Sequence, residues 1–274
     1  MHKAFDLKNL EKRLQKLSSI AIAFSGGVDS SFLLAVAKKA KVKKLIAITI
    51  NSQFVPTFEI ECAKKIADSM KVEHICIDVD ILENKNVIRN DIRRCYYCKK
   101  KMFSSIKKIA DNLNFKFLLH AINIDDLNDY RPGIDAAREL GFLSPLVDEK
   151  FTKKKIRKAS KQLKLKTWNK VAQSCLATRI AKKEKITNKK LVMVEKAEQF
   201  LHKLDKSLDF KLYPLRVRSK NKIARIEVEP KFIQKISSLD IRQKILQKFT
   251  KIGFQKVSID IDGYQSKISR SLKK

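Results

Sequence analysis

Apolar runs and amphipathic stretches alternate along the first half of the chain. The runs at 19–24, 44–50, 72–79 and 115–121 are short, continuous and rich in Ile, Val, Leu and Phe, as strands are when helices cover both faces of their sheet. Between them, 29–40, 56–70 and 96–112 repeat apolar residues at helical spacing, with Pro56 at a first-turn position. This series predicts a doubly wound α/β domain with a parallel sheet. A lysine-rich helix is expected over 152–163, and 165–171 leads toward Cys175. Beyond the basic segment 182–190 the pattern changes to helix 188–204, strands 211–219 and 222–229, helix 230–249 and strand 255–261. That order predicts a smaller α+β domain, so the expected division is 1–180 and 181–274. No repeat or low-complexity linker interrupts the chain.

Composition narrows the classes. A chain of 274 residues with 44% hydrophobic content can bury two cores. The formal charge of +32 invites a nucleic-acid reading. The charge is mostly Lys spread through nearly every segment, however, and 182–190 has no interleaved aromatic, which argues against a dedicated nucleic-acid surface. No apolar run approaches the roughly 18 residues of a membrane span, and the start, MHKAFDLKNLEKRL, lacks the apolar centre of a signal peptide. A cytoplasmic protein without a membrane partner is expected. Five cysteines are an odd number and poor material for a disulfide framework; they suit metal binding or catalysis better.

The stretch FSGGVDSS at 24–31 joins the first strand to the first helix of the series. A glycine turn there gathers backbone N–H groups and the hydroxyls of Ser25, Ser30 and Ser31 at the positive end of a helix, which suits a phosphate. Gly26 and Gly27 allow close approach and positive φ. Asp29, an acid beside such a nest, makes sense as a ligand of Mg²⁺ on that phosphate. An ordinary turn capped by Ser and Asp is the plain alternative. The stretch lacks the Gly-Lys-Ser/Thr of a Walker A loop and the spacing of a dinucleotide fingerprint.

SGGVDSS closely resembles the PP-loop of the ATP pyrophosphatase superfamily. Three further stretches, RRCYYCKKKMF (93–103), NIDDLNDYRPG (123–133) and WNKVAQSCLATRI (168–180), followed by LRVRSKNKIARIEV (215–228), resemble the LarE family in order and spacing. The resemblance covers nearly the whole chain. It implies that ATP adenylates a carboxylate of pyridinium-3,5-biscarboxylic acid mononucleotide, a small-molecule nucleotide, and that sulfur then displaces AMP. It also implies a homo-oligomer. A tRNA thiolase with the same loop is the alternative enzyme, and a nucleotide-binding chaperone without catalysis is the alternative class.

In one branch of the family a single Cys, matching Cys175, gives up its own sulfur. The set Cys95, Cys98 and Cys175 resembles the other branch, in which three thiolates hold a [4Fe-4S] cluster that carries sulfide from an external sulfide donor. Zinc is a rival occupant of such a set. Cys62 and Cys76 read as buried apolar residues. Arg216 and Arg218 alternate on a strand and suit a phosphate or carboxylate of the substrate. Arg179 could guide the adenylate, and Arg131 could reach a phosphate or anchor a loop. Asn123, Asp125 and Asp126 follow the fourth strand, where open sheets bind ligands, and could position ATP or its metal or simply cap a helix. Glu195 and Glu198, three apart on a helix, are candidate acid–base or orienting groups or a solvated face.

Overall fold

A computed structural model describes residues 2–128, 131–204 and 214–264. It divides into two compact units, one comprising 1–87 and 91–170, the other 88–90 and 171–274. Residues 171–180, expected with the first domain, group with the second, because Ile180 bridges Ser219 and Ala181 N donates to Ser219 O.

The first unit runs α1 (His2–Gln15), β1 (Ser19–Ala23), α2 (Val28–Lys39), β2 (Lys44–Asn51), α3 (Thr57–Ser69), β3 (Glu73–Asp78), α4 (Lys85–Ile88), α5 (Arg94–Asn112), β4 (Phe117–Leu119), α6 (Pro132–Glu139), α7 (Pro145–Asp148) and α8 (Lys153–Gln162), with α4 ending in the other unit. Its strands are parallel in the order β3-β2-β1-β4. β1 is buried almost throughout and β2 through its centre, as their continuous apolar sequences require. β3 is an edge strand, with every residue half-buried or exposed. Leu10 and Leu14 of α1, Ile20 and Ile22 of β1, Phe32 and Leu33 of α2 and Ile156 of α8 join one core. Each such side chain contributes about 1.5–3 kcal/mol on leaving water. α1 was not foreseen from sequence; its Leu10 and Leu14, four apart, are fully buried.

The order of strands places a reversal between β1, whose chain proceeds to β2, and β4 on its other side. Loops leaving the carboxyl ends of two such neighbours diverge and leave a crevice, the usual ligand position in an open parallel sheet. β4 is shorter than expected: it pairs with β1 only over Phe117–Leu119, and on its other side Leu119 makes a single parallel bridge to Leu143, with His120 N donating to Leu143 O.

The second unit carries α9 (Asn188–Leu204), β5 (Arg216–Lys220), β6 (Ile223–Glu227), α10 (Ile233–Ile236), α11 (Leu239–Ile252) and β7 (Lys256–Ile259). β5 and β6 are antiparallel, β6 and β7 parallel. The helix expected over 230–249 is broken: a 3-10 turn and α10 precede α11, and Ser238 with extended backbone starts the new helix. Gly253, at φ +112, ends α11 in the left-handed conformation. The first residues of the expected strand 211–219 lie outside the described residues. Val217, Ala224, Ile226, Ile245 and Phe249 centre this unit's own core.

Candidate active site

In the first unit the chain turns through Phe24 to Gly27 between β1 and α2. Gly26 is left-handed at φ +64, and a Cβ there would lie 2.8 Å from Ala63 Cα in α3. Both facts demand glycine. Gly27 is the N-cap of α2 and makes no side-chain cap, so the first-turn amides have no side chain of the cap to satisfy them. Ser30 Oγ accepts from Ser25 N at 3.3 Å, lies 3.1 Å from Ser25 Oγ and donates to Gly27 O at 3.3 Å, bracing the turn. Ser31 Oγ is buried without a hydrogen-bond partner. A braced glycine turn, open amides and a helix start form a nest for an anion.

Asp29 sits in the first turn of α2. Its Oδ2 accepts from Lys153 Nζ at 2.5 Å and from Asn123 Nδ2 at 3.5 Å, while its Oδ1 is buried with no hydrogen-bond partner. Burial raises its pKa and the adjacent Lys153 opposes that. A buried carboxylate oxygen without a donor fits a cation ligand, so the residues present suit Mg²⁺ held to a phosphate. Lys153 at the head of α8 was not foreseen. In a chain this rich in Lys, nothing in the sequence distinguishes it.

The loop after β4 supports Asp29. Asn123, 2% exposed, receives Asp125 N on Oδ1 and donates Nδ2 to Asp29. Asp125 was a candidate for ATP or its metal; its Oδ2 accepts from Lys153 N, at 2.8 Å, so it fastens the start of α8. Asp126 accepts from Asn123 N and pairs with Arg131 at 2.8 Å, so Arg131 anchors this loop.

The second unit holds a buried polar cluster. Arg179 is 1% exposed; its Nε and Nη2 donate to the two oxygens of Glu198 at 2.8 and 3.1 Å. Its Nη1 lies within 3.1 Å of Ser174 O, Ser174 Oγ, Cys175 O and Thr178 Oγ1. The guanidinium is therefore employed on the turn that presents Cys175 rather than open to an adenylate. Glu198, expected on an acid–base or solvated face, is buried and also accepts from Val217 N. Glu195 is half-buried on the same helix. Arg216 and Arg218 are not an equivalent pair. Arg218 Nε is 3.0 Å from both oxygens of Glu227, and its Nη1 donates to Thr178 O. Arg216 is 2% exposed, donates to Leu215 O and Ala172 O and faces the Tyr264 ring. Burial, aided by the charge of Arg179, lowers its pKa.

None of the five cysteines is disulfide-bonded. Cys95 is exposed and Cys98 buried one turn on in α5, with Cys98 Sγ 3.9 Å from Met102 Sδ; Cys175 is half-buried in the second unit. Among the described residues no three His, Cys, Asp or Glu are gathered as a metal site. Cys76, expected in a core, is exposed because β3 is an edge strand, and Cys62 is half-buried.

A parallel sheet with an SGGxDS nest at its β1/β4 reversal and a buried acid in the first turn of the following helix defines a PP-loop domain, a class that implies ATP use. The family described as queuosine biosynthesis protein QueC matches residues 19–109. The chain is 36% identical over 269 residues to an uncharacterized protein of Synechocystis sp., covering 98% of each chain. It is 30% identical over 254 residues to the pyridinium-3,5-bisthiocarboxylic acid mononucleotide synthase of Lactiplantibacillus plantarum, covering 92% of this chain and 89% of that one. A 7-cyano-7-deazaguanine synthase of Clostridium botulinum is 36% identical over only 74 residues, 26% of this chain and 33% of its own. The chain belongs to the family of the bisthiocarboxylic acid mononucleotide synthase, the LarE family of sulfur transferases. Among the described residues, no helix is long and apolar enough to cross a membrane.

Proposed function

We propose that the protein adenylates a carboxylate of pyridinium-3,5-biscarboxylic acid mononucleotide and converts it to a thiocarboxylate, the sulfur-bearing precursor of a nickel-pincer nucleotide. A substrate carboxylate oxygen attacks the α-phosphorus of ATP and pyrophosphate leaves. Sulfur then attacks the acyl carbon, and AMP departs with the carboxylate oxygen. The observation that carries this reading is the 30% identity, over 92% of this chain, to a synthase of the bisthiocarboxylic product.

The Ser25–Ser31 nest would bind the phosphates, and Asp29, held by Asn123, would bind Mg²⁺ that neutralises charge on the leaving pyrophosphate. Arg216, buried with its guanidinium on the carbonyls of Leu215 and Ala172, suits a substrate phosphate or carboxylate. Glu195 would orient the substrate. Cys175, on a turn held by Arg179, is the proposed sulfur site. Cys95, Cys98 and Cys175 are proposed as ligands of a [4Fe-4S] cluster, supported by their order in the family motifs; no such ligand set is formed among the described residues. When bound, the cluster would supply a transferable sulfide from an external donor. A cytoplasmic homo-oligomer is proposed on the same resemblance.

Pyrophosphate release tests the function when measured with the pyridinium dicarboxylate mononucleotide, with bulk tRNA and with neither. Release stimulated by the mononucleotide alone is expected. Stimulation by tRNA instead would assign the chain to RNA thiolation, and release without either would remove the substrate assignment.

A further inference from the structure

The amine of Lys170 donates to Gly26 O at 3.1 Å and to Glu59 Oε2 at 2.6 Å, all within the first unit. The Lys170 side chain is 21% exposed and that of Glu59 11%. The segment bearing Lys170 is itself fixed, because Arg157 of α8 donates to Trp168 O at 2.8 Å and to Lys170 O at 2.9 Å. α3 carries both Glu59 and Ala63, the residue against which Gly26 rests. Gly26 is thus held by α3 and by the amine of Lys170 seated on it.

This pair is costly for stability alone. Glu59 Oε1 is buried with no hydrogen-bond partner, and a buried ion pair of this kind gives little net stabilisation. Its geometry points to another role. In a planar trans peptide the C=O and the following N–H point in opposite directions. The unit joining Gly26 to Gly27 lies between two glycines, whose backbones resist a flip least. By holding Gly26 O, Lys170 determines where Gly27 N–H points, which is away from the amine. That N–H makes only a long contact of 3.4 Å with Ser25 Oγ, so it retains capacity for a stronger acceptor.

We infer that Lys170, oriented by Glu59, is a positioning residue that aims the Gly27 amide at the pyrophosphate portion of ATP. The inference rests on the reading of this loop as a phosphate site and adds to it the residue that holds its donor in place. Glu59, α3 and the segment after α8 then form one device: they lie outside the loop yet control its affinity.

The test uses the full chain, titrated with inorganic pyrophosphate plus Mg²⁺ and separately with AMP. Lys170→Met should weaken pyrophosphate binding by about tenfold, the loss of one charge-assisted contact, and leave AMP binding unchanged. Lys170→Arg, which still donates to Gly26 O and Glu59, should restore most of the difference. Glu59→Gln, a milder change, should weaken pyrophosphate in the same direction even if Lys170→Met folds poorly. With ¹⁵N-glycine labelling only six residues are visible. The Gly27 amide signal should move on adding Mg²⁺ and pyrophosphate in wild type and fail to do so in Lys170→Met. Unchanged pyrophosphate affinity in folded Lys170→Met, or an equal loss for AMP and pyrophosphate, overturns the inference while leaving the phosphate loop intact. A wild-type chain that binds no pyrophosphate overturns the loop reading and this inference together.

Discussion

Lys153 Nζ lies 2.5 Å from Asp29 Oδ2, so one oxygen of the acid is neutralised by an amine while the other is buried without a donor. Two positive partners are accommodated by one carboxylate only if they use different oxygens, and this arrangement leaves Oδ1 for a metal. Asp29→Asn keeps the shape and removes the charge. The variant is expected to fold, because burial already disfavours the ionised form of Asp29. Its Mg²⁺-dependent ATP–pyrophosphate exchange should fall by about 100-fold. Exchange close to wild type would remove Asp29 from the reaction.

Arg179 and Glu198 form a buried bidentate pair that also supports the Cys175 turn. Arg179→Met strands a buried carboxylate, and a loss of about 3–5 kcal/mol is expected in denaturant unfolding. Pairing it with Glu198→Gln should return part of that loss, since contacting residues couple. The Cys175 thiol should be alkylated faster in Arg179→Met than in wild type, because four contacts to its turn are gone. Equal alkylation rates in the two folded proteins would limit Arg179 to stability.

The parallel sheet and the phosphate nest were legible because their signals are local: continuous apolar runs for β1 and β2, and an unbroken SGGVDSS. The roles of Arg179, Glu198 and Arg218 were not. Strand alternation gives Arg216 and Arg218 a common face of β5, but periodicity is silent on their partners, Ala172 O for one and Glu227 for the other. Glu198 read as one of two acids on a helical face, yet only tertiary packing decides that it is buried against Arg179. Lys153 and Lys170 were hidden among many lysines, and each acts on an acid more than 100 positions away in sequence, at 124 and 111 residues respectively. Cys76 misled because ICIDV is apolar enough for a central strand while β3 is an edge.

His120 is buried at the end of β4, with Nε2 2.6 Å from Ser144 Oγ and its ring edge-on to Phe103 and Phe142. Burial, with Lys99 adding repulsion, pushes its pKa down to about 4. The unfolded chain therefore binds a proton between pH ~6.5 and ~4 that the folded chain refuses. Stability should be full above pH ~6.5 and fall with pH through that window, by on the order of 3 kcal/mol. Unfolding free energies in urea at several pH values check this. His120→Gln should flatten the window, and a wild-type profile already flat there would exclude His120 as the source.

The source of sulfur separates two outcomes by mass and metal content. Cys95 and Cys98 occupy one turn of α5, which suits two ligands of one group, and Cys175 starts a turn in the other unit. Thiolates brought close together repel unless a cation or cluster neutralises them, so joint use of the three requires occupancy. Protein reconstituted without oxygen should contain about four irons per chain, absorb broadly in the visible and transfer sulfur repeatedly when given sulfide. Cys95→Ala, Cys98→Ala and Cys175→Ala should each abolish iron binding, whereas Cys62→Ala and Cys76→Ala should not. If Cys175 instead surrenders its own sulfur, intact-mass measurement after one reaction will find a chain lighter by the elements of hydrogen sulfide, with dehydroalanine at that position. Only Cys175→Ala would then be inactive. Iron-free protein that still transfers sulfur with Cys95 and Cys98 replaced would rule out the cluster.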